Sequence, residues 1–418
     1  MTESKGRIYY GWVIVAAFFI IGTIMYGSLA SFGVFFKFIA AEFNLNRAET
    51  SLVFSLQNLI ASALSFIGGW AVDKYGPKIV VLLIGLCTGL SLTLTSQTTA
   101  LWQLFITYSL LFSVIGAVYT IIVSTVSRWF DTNRGVAVGI AGSGIGMGIV
   151  AMAPFATYLI TNLGWRAAYI VLGVVAWFII IPLSRLLKGA PIITENKSNK
   201  DTEIRDIKTS PDSVNSDKKS SEFSLHDAFK TRSFWLFGSI WLLNAFGYFL
   251  VLIHFIPHAT DIGIHPMEAA TVLSILGASF VAGRIILGKV SDSIGRKKTA
   301  VGSALLIGLS VIILLSTNDL LLLYVFGFIF GFCIGGLDTA MAVLIGETFG
   351  MRSIGVITGA LQVNWGLGVV IGPLIGGIIF DINGSYSVGF LSVIVVMFVI
   401  ALLVILTRRE TKTELPIQ

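Results

Sequence analysis

An arginine stands inside a run that is otherwise free of charge. Arg284 lies in "ASFVAGRIILGKVSD" (278–292), and every residue from Ala269 to Gly283 and from Ile285 to Gly288 is uncharged. A guanidinium keeps its proton in proteins. In hydrocarbon it costs at least about 2.5 kcal/mol. Its planar fork matches a carboxylate. Arg284 is therefore a candidate anchor for an anion; the alternative is an arginine that caps carbonyls within a bundle. Asp338, in "GGLDTAM", is the second deep charge. Away from water a carboxylate tends to take up a proton, and a nearby guanidinium opposes that. Asp338 is a candidate proton carrier, with a fixed Asp–Arg strut or a helix–helix hydrogen bond as the alternative.

Tyr119 offers a hydroxyl beside an apolar ring and could hydrogen-bond a small carboxylate or hydroxyl; an ordinary packed tyrosine is the alternative. His254 and His258 flank Pro257 in "LIHFIPHATDIG", with Asp261 beyond. Histidine titrates near neutral pH, so His254 and Asp261 are candidates for proton coupling, set against a plain interfacial polar cluster. The two histidines also have a spacing that suits a metal. Nothing else in the chain completes a ligand set, and no metal or cofactor is expected. Tyr26, Leu29, Ile145, Asn244 and Asn364 are weaker cavity candidates, since such residues more often glue helices together.

These residues need a membrane to make sense. The chain has 418 residues, 55% hydrophobic and 12% charged, with mean hydropathy +0.89. Soluble domains carry about 25% charged residues. A span needs about 20 mostly apolar residues, and twelve such runs are present: 12–38, 49–72, 79–97, 102–126, 135–160, 167–187, 233–257, 268–290, 299–316, 320–346, 354–380 and 386–407. The first lacks a small-residue cleavage site and reads as a true span. The fold class is an all-α membrane protein, with twelve transmembrane helices in two pseudo-symmetric bundles of six.

Orientation follows from the cations. Lys37, Arg47 and Arg166 fall in connections on one side, Arg284 lies within a span, and the other Lys and Arg residues lie on the side of the termini. Both termini are expected to be cytoplasmic. The net charge of +6 reflects this topology, and no nucleic acid is expected as a partner. Cys87 and Cys333 fall inside spans and read as small apolar side chains without a disulfide.

Residues 194–222, "TENKSNKDTEIRDIKTSPDSVNSDKKSSE", are too polar to order themselves. The organisation reads as an N-terminal six-helix bundle (1–189), a cytoplasmic linker (190–229) and a C-terminal six-helix bundle (230–418). "SLHDAFKTRSFW" could start a short interfacial helix at Ser224.

The two halves echo each other. "GWAVDKYGPK" follows the second span and "GKVSDSIGRK" the eighth: Gly69 matches Gly288, Asp73 matches Asp292, Gly76 matches Gly295 and Lys78 matches Lys297, each 219 residues apart. Phe130 and Phe349 keep that offset, and so do Tyr119 and Asp338. Gly69 and Gly288 allow close helix approach, and Gly76 and Gly295 allow a tight turn. A carboxylate at a helix C-terminus opposes the dipole, so Asp73 and Asp292 need a partner such as an arginine or another helix N-terminus. Arg296 and Lys297 are the basic residues of the second copy. Arg284 has no echo, since its counterpart is Ser65. It lies about 12 Å inward of Asp292, at about 1.5 Å per residue.

Twelve spans, a middle loop and this doubled motif resemble the major facilitator superfamily of secondary transporters. "YYGW" (Tyr9–Trp12), "RWFDTNRGVAVGIAGSGIGMG" (Arg128–Gly148), "GWR" (Gly164–Arg166) and "GPLIGG" (Gly372–Gly377) are similar to the monocarboxylate transporter family. The oxalate/formate exchangers share much of this pattern. The resemblance implies that spans 1, 4, 7 and 10 line a central cavity, that Arg284 binds the substrate carboxylate, and that Tyr119 contributes to the site. There are departures. Phe280 stands where many relatives carry an acid, Ala30 where animal relatives carry a lysine, and Leu361 where oxalate exchangers carry one. A single basic anchor favours a monocarboxylate over a dicarboxylate.

The expectation is a proton-coupled symporter for a small monocarboxylate such as L-lactate or pyruvate, in the cell inner membrane, acting by alternating access. In the empty carrier Arg284 would lean on Asp338, and protonation would release it for substrate. The chain is expected to act as a monomer in the lipid bilayer, with the monocarboxylate and protons as its partners. An organic-anion exchanger of the oxalate/formate type is the second reading. No nucleophile–base set points to an enzyme.

Overall fold

The computed structural model describes residues 9–130, 134–189, 224–350 and 354–408. Among the described residues the regular structure is all helical: α1 (Tyr10–Ala30), α2 (Phe32–Glu42), α3 (Arg47–Thr95), α4 (Leu101–Leu104), α5 (Ala117–Ser127), α6 (Arg134–Leu186), α7 (Leu225–Phe229), α8 (Arg232–Asp261), α9 (Pro266–Ile294), α10 (Arg296–Ser316), α11 (Leu320–Phe349), α12 (Ile354–Asn383) and α13 (Ser387–Leu406). A π-helical turn (Phe105–Leu111) and a 3-10 turn (Phe112–Gly116) join α4 to α5.

These helices match the twelve expected spans once breaks are counted. Span 1 is α1 plus α2, interrupted at Ser31. Spans 2 and 3 run together as α3 but part at Gly76 (φ 79°). Spans 5 and 6 run together as α6 but part at Gly164 (φ 82°). Span 4 covers α4 to α5, and spans 7 to 12 are α8 to α13. The tight turns expected at Gly76 and Gly295 are present; Gly295 has φ 100°. The short helix expected at Ser224 is α7, where Ser224 caps Asp227 N–H and Asp227 caps back. The linker from 190 to 223 lies outside the described residues.

Glycines set the packing. In lipid, helices gain little from burying apolar area against each other, so close backbone contact decides which pairs form. A Cβ at Gly283 would collide with the Phe332 carbonyl, and one at Gly335 with the Phe280 carbonyl, so α9 and α11 lie backbone to backbone. The N-terminal half repeats this: Gly116 meets Ala61 just as Gly335 meets Phe280. Gly69 faces Thr120, and Gly288 faces Thr339. Each of these pairs keeps the 219-residue offset, so the duplication read in the sequence is also a duplication of contacts.

The halves meet along three seams. Ser55 Oγ donates to Val370 O at 2.7 Å between α3 and α12. Ser274 Oγ donates to Val150 O at 2.7 Å between α9 and α6. Gly33 of α2 sits against the Ile253 carbonyl of α8. These contacts run from the end that carries Arg47 and Asp261 down to Gly366 against Ser62 and Gly146 against Val281, near mid-span. Beyond that level Tyr119, beside Gly142, is exposed. The central space therefore opens toward the side of the termini.

Candidate functional site

Arg284 is fixed by its backbone. Its N–H lies where Gly335 leaves room, and Thr339 Oγ1 donates to its carbonyl at 3.4 Å. In the N-terminal half the matching Thr120 bonds the Ser65 hydroxyl at 2.9 Å. There the side chain at this position is consumed by its own bundle. In the C-terminal half the threonine takes the main chain instead, and the Arg284 side chain is left for other work. Its guanidinium lies over the Phe280 ring, 5.2 Å from the centroid. Such contacts contribute about 0.5–1 kcal/mol, more when water is excluded.

Asp338 sits one residue before Thr339 and is half-buried. Its Oδ1 accepts from Asn244 Nδ2 at 3.0 Å. Asp338 and Tyr248 both lie in the electric field of Arg284. The expected lean of Arg284 on Asp338 is not made: among the described residues the ion pairs join other groups. Phe280 holds the guanidinium along its own helix, and Asn244 holds the carboxylate from α8. The two charges share a field without an ion pair, an arrangement that leaves guanidinium donors for an anion.

Tyr119 is 38% exposed and reaches the central space. It follows the π-helical and 3-10 turns of span 4, a kind of irregularity common at functional sites. Tyr26 lies within electrostatic reach of it. Ile145 precedes Gly146, which packs on Phe280 and Val281, so it borders the Arg284 helix. Leu29 is buried at 8% exposure beside the break at Ser31. Asn364 is turned elsewhere: its amide presses on Gly238 of α8, inward of Asn244. Tyr248, absent from the sequence candidates, lies one turn beyond Asn244 and packs near Phe280 and Phe330. Its i+4 spacing from Asn244 was visible, but nothing marked that face of α8 as the one meeting Asp338.

The structure separates His254 from Asp261. His254 is fully buried in the seam at the end opposite the termini. Its Nε2 is 2.8 Å from Pro373 O and 3.5 Å from Ser51 Oγ, and its ring packs on Tyr386 and Phe36. Asp261 instead binds Lys37 at 2.5 Å and Arg47 at 3.5 Å across the halves. Asp381, unmarked in the sequence, accepts the first amides of α3, from Arg47 at 2.8 Å and Ala48 at 2.7 Å. The Arg47 guanidinium lies 4.8 Å from the Phe380 ring centroid. Together these groups close the end opposite the termini.

That closure is testable. Asp381→Ala strips a bidentate cap from a helix terminus, a loss of about 1 kcal/mol. The expected result is a roughly fivefold larger population with the outer end open, since about 1.4 kcal/mol is tenfold. Spin labels placed on the outer loops near Asn44 and Gly263 read this as a longer distance distribution. An unchanged distribution would show that Asp381 does not hold the end shut.

The second copy of the loop motif makes its own set of contacts. Asp292 pairs with Arg296, which also contacts Ser291 Oγ at 2.5 Å and Glu347 at 3.6 Å. The partner that Asp292 needed is thus the arginine of its own motif. Lys297 donates to the Thr407 carbonyl. Lys78 is exposed, and the Asp73 side chain lies outside the described residues. Among the described residues no group of three His, Cys, Asp or Glu could hold a metal.

Comparison with known proteins agrees with this architecture. The sequence pattern of the Major Facilitator Superfamily matches residues 18–293 and 243–418. Monocarboxylate transporter 13 of Rattus norvegicus is 27% identical over 386 residues, covering 91% of this chain and 85% of its own. Monocarboxylate transporter 2 of Homo sapiens is 25% identical over 396 residues, covering 92% and 82%. Among solved structures, a bacterial homolog to the human lysosomal transporter Spinster, in an inward-facing and occupied conformation, superposes with TM-score 0.73 at 15% identity, covering 96% of this chain and 97% of that one. At that identity the likeness speaks to the fold alone.

Proposed function

This chain belongs to the Major Facilitator Superfamily, a multi-pass membrane transporter related to the monocarboxylate transporters, and from that premise we propose that it carries a small monocarboxylate such as L-lactate or pyruvate together with a proton. The observation that supports this best is the pair Arg284 and Asp338, set within each other's field at mid-depth and not bonded to each other. A guanidinium with open donors binds a carboxylate bidentately. A carboxylate beside it supplies a place for the proton. Monoanion plus proton is electroneutral, so the loaded site crosses the bilayer without carrying net charge through a medium that penalises it.

In this state Arg284 and Tyr119 are reached from the inner side, and exchange with the outer side would follow once the Asp381 and Asp261 contacts part. The rocking of the two bundles about this level is alternating access. The reading places the chain in the cell inner membrane with both termini cytoplasmic, an orientation that the distribution of Lys and Arg supports.

The test is radiolabelled L-lactate uptake into proteoliposomes. An alkaline interior should drive accumulation above the external concentration, by about tenfold per pH unit for one proton per anion. Uptake that ignores the pH gradient but is strongly stimulated by internal anion would replace symport with exchange.

A further inference from the structure

The Asn244 amide carries an unused atom. Its side chain is only 3% exposed. Nδ2 donates to Asp338 at 3.0 Å, while Oδ1 is buried without a hydrogen-bond partner among the described residues. Leaving a buried acceptor unmade is costly, and such an atom calls for an explanation.

The groups around Asp338 narrow the explanation. Arg284 of α9 has donors and no acceptor. Tyr248 of α8 is the other titratable side chain in its field. The helix α10, also packed on α11, carries no titratable group between Thr299 and Ser316. On α11 itself the neighbouring titratable groups are Cys333, more than a turn away, and Glu347 near the helix end. When Asp338 is a carboxylate it needs donors, and Asn244 Nδ2 and the field of Arg284 serve it. When Asp338 is a carboxylic acid it becomes a donor too, and its O–H needs an acceptor. Within this set Asn244 is the side chain already bonded to Asp338, and it carries a buried acceptor without a partner among the described residues; the Tyr248 hydroxyl, the other acceptor, makes no such bond to Asp338 here.

We propose that Asn244 is the positioning residue that lets Asp338 alternate between its two protonation states. Its amide donates to the carboxylate, as seen here, and turns over about Cβ–Cγ to accept the acid's proton on Oδ1. An amide offers a donor and an acceptor on two atoms of equal reach. The turn changes no charge and little volume, so it fits a packed helix seam. Protonation is thereby felt on α8, whose outer end holds the Asp261 and His254 contacts. This rests on the reading of Asp338 as the proton carrier.

The experiment is infrared difference spectroscopy, acid minus alkaline, on the protein in liposomes without substrate. Labelling asparagine with amide carbon-13 identifies any asparagine carbonyl band that follows pH. The expected result is such a band pair, titrating together with a carboxylic-acid band. Both are lost in Asp338→Asn, and the amide pair alone is lost in Asn244→Leu. Asn244→Leu removes both the donor seen on the carboxylate and the acceptor proposed for the acid, two losses that oppose each other in the pH profile. The carboxylic-acid band of Asp338 then moves to the higher frequency of an acid without hydrogen-bond partners, and Asn244→Gln, which keeps both functions, brings it back. A role in packing alone would leave the frequency of that band unchanged. If uptake is proton-driven and no asparagine band follows pH, the role of Asn244 falls while symport stands. If uptake is indifferent to the proton gradient, the symport reading falls and this inference with it.

Discussion

Arg284→Ala should abolish saturable uptake. The variant removes the one deep cation at the centre of the bundle among the described residues, and with it the charge-assisted, bidentate contact proposed for substrate. Hydrogen bonds to charged groups contribute about 1.5–3 kcal/mol each, so two of them amount to at least a hundredfold in affinity on the scale of about 1.4 kcal/mol per decade. Arg284→Lys keeps the charge and loses the fork, and an intermediate loss of about tenfold is expected. Lysine also lacks the flat face that lies over Phe280, so its ammonium is freer to fall onto Asp338. Concentration-dependent uptake separates these outcomes. Affinity for L-lactate unchanged in Arg284→Lys and Arg284→Ala would remove Arg284 from the binding site. Folding is not the concern it would be for a buried strut, because the main chain at 284 is held by Gly335 and Thr339 independently of the guanidinium.

Asp338→Asn should uncouple transport from the proton. Asparagine keeps the size and hydrogen-bonding reach of the acid but cannot exchange a proton. Accumulation driven by a pH gradient, about tenfold per unit in the unaltered protein for a one-to-one symporter, should fall to simple equilibration. Because the substituted side chain cannot ionise, Arg284 also loses the anion that competes with substrate, and the apparent affinity should rise. The two readouts move in opposite directions, which distinguishes uncoupling from a general loss of folding. Normal uphill uptake by Asp338→Asn would mean that the proton is carried elsewhere.

Much of this was legible in the letters alone. Twelve runs stood out because hydrocarbon tolerates only helices with apolar exteriors. Arg284 and Asp338 stood out for the same reason, as exceptions within such runs. The 219-residue echo located the tight turns at Gly76 and Gly295, and the structure extends it to contacts, Gly69 on Thr120 and Gly288 on Thr339. The asymmetry at Ser65 and Arg284 was visible as a pair of letters. Its meaning, one side chain consumed by Thr120 and the other left open, was not.

The outer end shows the other limit. Lys37 and Arg47 were conspicuous as cations on the sparse side, and Asp261 as an acid near them in topology. Hydropathy could not say that Asp261 takes both, or that Asp381 caps α3 from the opposite half. His254 read as a proton relay because histidine titrates near neutrality; the structure instead seats it among Tyr386, Phe36 and the Pro373 carbonyl.

By itself, then, the sequence determined that this chain spans a membrane as two related bundles and which few charges lie inside. A bilayer penalises each misplaced polar group locally, so each leaves a mark at its own position. The tertiary structure decided whom those charges meet. Asp338 finds Asn244 across 94 residues of chain, Arg284 settles on Phe280, and Asp261 closes with Lys37. These pairings depend on how each helix is rotated about its axis. That rotation is set by where glycines let backbones touch, a property of two helices together that neither sequence segment contains alone.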